Sequence, residues 1–421
     1  MITFLKHGHE RSPPYGRVQG GVSQSGKNPP CPHTSQPHPS PRELFEEVKT
    51  QFHHFLLSYH MRKFLRRLLK NRVIKLANRV SSRPDKKRID KALNDLYKSI
   101  TTNPGKQGLV VPFDAENDRF IILSDQHKGA RDGSDIFARS EKNYLAALNY
   151  YNIEKFTYIN LGDSEELWEN LFVTIKRHNK ATFEAEKKFI DRKAFIKIFG
   201  NHDLYWDNDP LAAVSIMQIY GQAIKVYEGA VLQTTVNNKP LNIYLTHGHQ
   251  GDLQSDGNWF SKWFVSDIWA PLQAYLHINP NTPAYNKQLK TVHNRIMYEW
   301  SAKRKNTLLI TGHTHQPVFR SFTELESIYE KLDKAKKAGN TEVVKELQNR
   351  ILELHLEGNS SLDFTGYLDT YFNTGCCCFD DGDITGIEIA DNCIRLIKWE
   401  YRGKENLRRI LEECRLEDLK L

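Results

Sequence analysis

No stretch of this sequence offers the roughly 18 consecutive uncharged apolar residues that a membrane-spanning helix needs. The residues from Met1 to Gly8 lack the apolar core of a signal peptide. Cysteine is scarce, with six in 421 residues, too few for a disulfide framework in a chain of this length. Cys376, Cys377 and Cys378 are consecutive, and neighbours in a strand point to opposite faces. A reduced, cytoplasmic setting is the expectation. No internal repeat is present, which excludes a solenoid. Basic charge is also missing where nucleic-acid binding would want it. Nineteen of the 59 Lys and Arg, against six of the 51 Asp and Glu, lie before residue 92, leaving the remainder with 40 basic and 45 acidic side chains. The net charge of +8 therefore belongs to residues 1–91, and there is no strong case for nucleic acid as a partner.

What is present divides the chain. Residues 1–41 hold eight of the 17 prolines and read as a disordered leader that buries too little apolar surface to offset its ordering entropy. Residues 42–105 read as a basic helical segment. Met61, Phe64, Leu65, Leu68, Leu69, Val73 and Leu76 recur at helical spacing, with Arg62, Lys63, Arg66, Arg67 and Lys70 between them. Such a helix packs its apolar face on a neighbouring domain or, over residues 42–80, lies on an anionic membrane surface as a peripheral anchor. A second helix is predicted from about Ile89 to Ile100, ending before the turn signal Asn103-Pro104-Gly105.

Residues 106–402 alternate apolar strands with helical stretches, the pattern of a layered α/β domain. Five strands end in the same kind of residue. Phe120–Leu123 runs into Ser124-Asp125-Gln126-His127, and Phe156–Leu161 into Gly162-Asp163-Ser164-Glu165-Glu166. Ala194–Phe199 runs into Gly200-Asn201-His202-Asp203, and Leu241–Leu245 into Thr246-His247-Gly248-His249. Thr307–Ile310 runs into Thr311-Gly312-His313-Thr314-His315, where Gly312 allows a turn that a side chain would obstruct. Ligands gather beyond the carboxyl ends of such strands. Asp, Asn and neutral His together offer oxygen and nitrogen donors without thiolate, a set suited to Mn, Fe, Co or Zn. Taken singly, Asp163 also reads as a helix cap, Asn201 and Asp203 as turn residues, and His247 as a core histidine.

In order and residue type, the five blocks resemble the calcineurin-like metallophosphoesterase family over roughly residues 118–400. The resemblance implies a four-layer αββα sandwich and two divalent metal ions. Asp125, His127, Asp163 and His315 would hold the first ion. Asp163, Asn201, His247 and His313 would hold the second, with Asp163 bridging. It further implies hydrolysis of phosphomonoesters or phosphodiesters by a metal-bridging hydroxide. His202 would protonate the leaving oxygen, and Asp203 would orient the His202 ring. Glu166 would support the site from behind. Lys128, Arg131 and His249 are candidates for substrate contact. The alternative is a non-catalytic scaffold that keeps its metals for stability and docks partners through the leader or a helical hairpin.

Two insertions are expected, at about 251–305 and 322–357, the latter a helical hairpin broken at Ala338-Gly339-Asn340. The first carries Trp259, Phe260, Trp263, Phe264 and Trp269. It reads either as a helical layer packed on the domain or as a lid over the metals, as in the UDP-diacylglucosamine hydrolases of the same family. Residues 403–421 read as a charged C-terminal helix.

Overall fold

The structure is a computed structural model. It describes residues 84–132, 135–251, 287–322, 338–356 and 367–421, with positions 328, 329, 331, 332, 335 and 336. The expectations for the leader 1–41, the basic helix over 42–80 and the aromatic run of the first insertion lie outside these residues.

The buried strands come from short apolar runs covered on both faces. In β2 (Phe120–Leu123) all four side chains are buried. Phe120 and Ile122 join the core between two sheets, while Ile121 and Leu123 face the helix α2 (Glu141–Ile153) through Tyr144 and Tyr151. Each such side chain contributes about 1.5–3 kcal/mol of burial, so an uninterrupted apolar run is what this position requires.

The larger sheet has seven strands. β2, β3 (Thr157–Leu161), β4 (Phe195–Ile198) and the short edge strand β5 (Val226–Tyr227) run parallel. On the other side of β2, the strands β10 (Ile384–Ala390), β11 (Cys393–Arg402) and β12 (Glu405–Arg415) are antiparallel. The smaller sheet has five strands in the order β1 (Gly108–Pro112), β6 (Gly229–Val236), β7 (Lys239–Thr246), β8 (Thr307–Thr311) and β9 (Tyr371–Asn373).

Ile122, Ile159 and Ile198 of one sheet meet Leu232, Ile243 and Ile310 of the other. Helix α1 (Lys86–Thr102) buries Ile89, Leu93, Leu96 and Ile100 on the outer face of the smaller sheet, beside Trp300 of α6 (Lys287–Ser301). Helices α2 and α4 (Lys180–Asp191) cover the larger sheet through Tyr144 and Phe189. This is the expected four-layer αββα arrangement. The second predicted helix is α1. The break expected near Gly339 precedes α7 (Thr341–Leu356).

The C-terminal segment corrects the sequence reading. Glu405–Arg415 is a strand, and only Leu416–Asp418 turns helically. Arg402 pairs with Glu405 across a two-residue loop in which Gly403 and Lys404 hold φ of 59° and 77°. Positive φ at both positions marks a type I′ hairpin turn, whose twist suits antiparallel strands. Composition suggested a helix, and hairpin pairing with β11 overrides it. Cys376, Cys377 and Cys378 lie in the buried loop after β9, outside any strand.

Candidate metal centre

The five polar blocks converge at the facing ends of both sheets, three beyond β2, β3 and β4 and two beyond β7 and β8. Their backbones are strained to do so. Asp125, His127, Asp163, His313 and His315 all hold positive φ, between 50° and 67°. Non-glycine residues seldom adopt this region, and such residues cluster at functional sites. Gly312 is needed for close approach, since its φ is not positive. A Cβ there would stand 2.4 Å from Ser124 Oγ and 2.5 Å from Asp125 Oδ2. Asn373 braces the same loop, donating from Nδ2 to Gly312 O at 2.7 Å.

Nitrogen and oxygen donors crowd the space between the blocks. His247 Nε2 lies 3.1 Å from Asp163 Oδ2, and His315 Nε2 lies 3.1 Å from Asp125 Oδ1. His127 Nε2 faces His315 Nε2 at 3.1 Å and Asp163 Oδ2 at 3.8 Å. Asp163, His247 and His313 form one group whose donor atoms lie within 4.8 Å of one another, and Asp125, His127 and Asp163 form another. Asp163 belongs to both.

Some of these atoms have nothing to bond. Asn201 Oδ1 and His313 Nε2 are buried and make no hydrogen bond, and His247 Nε2, also buried, has the Asp163 carboxylate as its neighbour. Orphaned buried polar atoms are costly, and donors of this kind facing one another are what a divalent cation satisfies. The residues present therefore fit the metal group. The other ring nitrogen of His247 is tied back. His247 Nδ1 donates to Leu161 O at 2.8 Å, which fixes the tautomer that turns an Nε2 lone pair inward.

Residues 118–317 match the family model described as calcineurin-like phosphoesterase. The chain carries a calcineurin-like phosphoesterase domain. Metal-dependent phosphoester hydrolysis is the general chemistry of that family. No curated protein matches the sequence. Among solved structures, Vps29 from Cryptosporidium parvum is 13% identical, with 71% of this chain and 98% of that chain covered at a TM-score of 0.29. A single-mutant Vps29 from Entamoeba histolytica is also 13% identical, with 70% and 99% covered at a TM-score of 0.27.

Within the phosphoesterase domain, the residues around His202 differ from the family-based expectation. Asp203 does not touch the His202 ring. Its carboxylate accepts the backbone N–H groups of Gly200 at 2.5 Å, Ser164 at 2.8 Å and Asp163 at 3.3 Å. It thus pins the β3 and β4 loops together. Burial, then the charges of Glu165 and Asp163, push its pKa up to about 6. Glu166 takes the orienting role. Its Oε1 and Oε2 lie 2.7 Å from Nδ1 of His202 and of His127 respectively. Burial would raise the Glu166 carboxyl, but the two imidazoles bring it down to about 2. Burial would lower His202, but Glu166 and Asp163 raise it to about 9. Trp168, which the sequence reading missed, stacks on the His202 ring with centroids 4.1 Å apart and planes 25° apart.

Lys128 is a correction as well. Lys128 is fully buried and donates to Ser164 Oγ at 2.9 Å, Glu165 Oε1 at 3.2 Å and Glu186. Lys197, also buried, grips both oxygens of Glu165, at 2.9 and 3.1 Å. Two lysines and two glutamates make a charge-balanced network under the β3 loop, and Lys128 cannot reach a substrate from there. Arg131 is engaged by Glu141, Asn179 and the carbonyl of His178. His249 is buried beside His247, with ring centroids 5.5 Å apart. Burial, then the neighbouring His247, lowers its pKa to about 3.

Two more neighbours went unread in the sequence. Cys378 Sγ lies 3.7 Å from His315 Nδ1 and groups with His127 and His315, so the surroundings are not free of sulfur. His293 of α6 donates to Gly248 O at 2.8 Å, with its ring 5.3 Å from that of His313. His293 lies within a helix and Cys378 in the loop after β9, both outside the five polar blocks, so no sequence pattern marked them.

Proposed function

We propose that the protein is a dinuclear metal-dependent phosphoesterase, hydrolysing phosphomonoesters or phosphodiesters. The observation that carries this reading is Asp163, shared between two donor groups that also contain orphaned buried atoms. Asp125, His127, Asp163 and His315 would hold one divalent cation, and Asp163, Asn201, His247 and His313 the other. When bound, such cations supply Lewis acidity, lower the pKa of an attacking water and neutralise charge on phosphoryl oxygens.

The chain's own residues supply the rest. Glu166 fixes the His202 ring through Nδ1, leaving Nε2 to face the leaving group. Glu166 and Asp163 favour the protonated ring, and His202 gives that proton to the departing oxygen. Trp168 covers one face of the ring and fixes its plane.

The deciding experiment pairs metal analysis with turnover of an aryl phosphate and an aryl phosphodiester in Mn²⁺. About two equivalents of metal with hydrolysis of either ester are expected. Full metal loading without turnover of any phosphate ester would leave a metal-stabilised scaffold in its place.

A further inference from the structure

Strand β12 closes the larger sheet, and its outer backbone edge pairs with no other strand among the described residues. Leu407, Ile410 and Leu411 are 40–46% exposed there. Charges and bulges ordinarily blunt such an edge against unwanted pairing, and β12 has both. Its charges, however, are ordered. From Leu407 the sequence runs Leu-Arg-Arg-Ile-Leu-Glu-Glu-Cys. Reversed against itself about the bond between Ile410 and Leu411, it sets Arg409 against Glu412, Arg408 against Glu413 and Leu407 against Cys414.

Opposed residues must also share a face of the sheet, and here the bulge decides. In a regular strand the odd and even positions lie on opposite faces, so Arg408 and Glu413 would point apart. The register with β11 slips between Leu396 and Ile397, which pair with Glu412 and Ile410 and leave Leu411 as the extra residue. Arg408 reaches Glu388, and Glu413 reaches Arg395, the residue paired with Glu388 on the adjacent strand. Arg408 and Glu413 therefore share the face covered by α2. On the other face, Glu412 pairs with Leu396 and Cys414 packs on the core between the sheets, while Arg409 reaches Glu400, four residues along β11 from Leu396. Arg409, Glu412, Leu407 and Cys414 share that face.

We propose that two copies of this chain pair antiparallel through their β12 edges, about a two-fold axis between Ile410 and Leu411, joining their larger sheets into one. Every charge near the axis then meets its opposite, and each such pair forms twice, as symmetry requires of a self-complementary patch. An unrelated strand would meet the same charges unmatched. An edge of this length is a small interface, so the dimer is weak and concentration-dependent.

Sedimentation velocity on the full chain across a dilution series tests this. The wild type should show a monomer–dimer equilibrium. Arg409→Glu and Glu412→Arg should each weaken the dimer by about ten- to a hundredfold, since each sets like charges against one another twice. The double variant should restore it. Arg409 also bonds Glu400, and Glu412 bonds Lys331. The double swap repairs neither contact, so its rescue reports the pairing between copies alone. Should a charge variant misfold by circular dichroism, Leu411→Asp at the bulge displaces no β11 partner and sets carboxylates together near the axis. It too should abolish the dimer. A wild type that stays monomeric throughout, reversals without effect, or a double variant that stays monomeric would overturn the proposal.

Discussion

Glu166 Oε1 lies 2.7 Å from Nδ1 of His202, and the same carboxylate holds His127 through its other oxygen. One side chain thus orients the proposed proton donor and a proposed metal ligand together. His202→Ala should keep its metal and lose about 10²–10⁴-fold in kcat, more for alkyl than for aryl leaving groups. Glu166→Gln should do both kinds of harm, lowering kcat and weakening metal binding by about 10–100-fold. Metal titration alongside kcat on two leaving groups separates them. Equal metal affinity in the two variants would remove Glu166 from its double role.

Asp163 should behave unlike any other donor. Because it belongs to both groups, Asp163→Asn is expected to reduce bound metal from about two equivalents towards none. His313→Ala should cost only one. Elemental analysis of the purified variants measures this, and a full complement of metal in the Asp163 variant would rule out sharing.

Lys128 sits in a charge network, so its loss should read as instability. Lys128→Met leaves Glu165 and Glu186 short of a buried partner. Breaking one side of such a pair costs roughly 3–5 kcal/mol. Urea unfolding should show that loss, with KM little changed in whatever folded protein remains. A raised KM at unchanged stability would return Lys128 to the substrate.

The same network makes an acid-stability prediction. Burial raises the Glu165 carboxyl, but Lys197 and Lys128 outweigh it and hold the pKa at about 2, below the ordinary 4.5. A depressed carboxylate stabilises the fold fully above its unfolded pKa and loses that contribution as protons bind. On metal-free protein, stability should therefore fall between about pH 4.5 and pH 2, by on the order of 2–3 kcal/mol from this group. Glu165→Gln should flatten that part of the profile, and an unchanged slope in the variant would count against the ion pairs.

The sequence alone determined the layered α/β class and the five polar blocks. Those signals are local: an apolar run covered on both faces cannot be polar, and a donor placed just beyond a strand end is carried into the crevice wherever the strand packs. β2 and β8 were legible within a residue for the same reason. Only the tertiary structure decided which charged neighbours serve the site. Lys128 and Glu186 are 58 residues apart, and Glu166 and His127 are 39 apart. Nothing in the spacing of either pair marks one as a buried network and the other as a support for two histidines. Asp203, adjacent to His202 in the chain, faces the backbone of another loop because the turn aims its carboxylate there. At the C-terminus, Gly403-Lys404 in a primed turn folds a charged segment back onto β11. Strand pairing is a contact between segments, and the composition of one segment does not contain it.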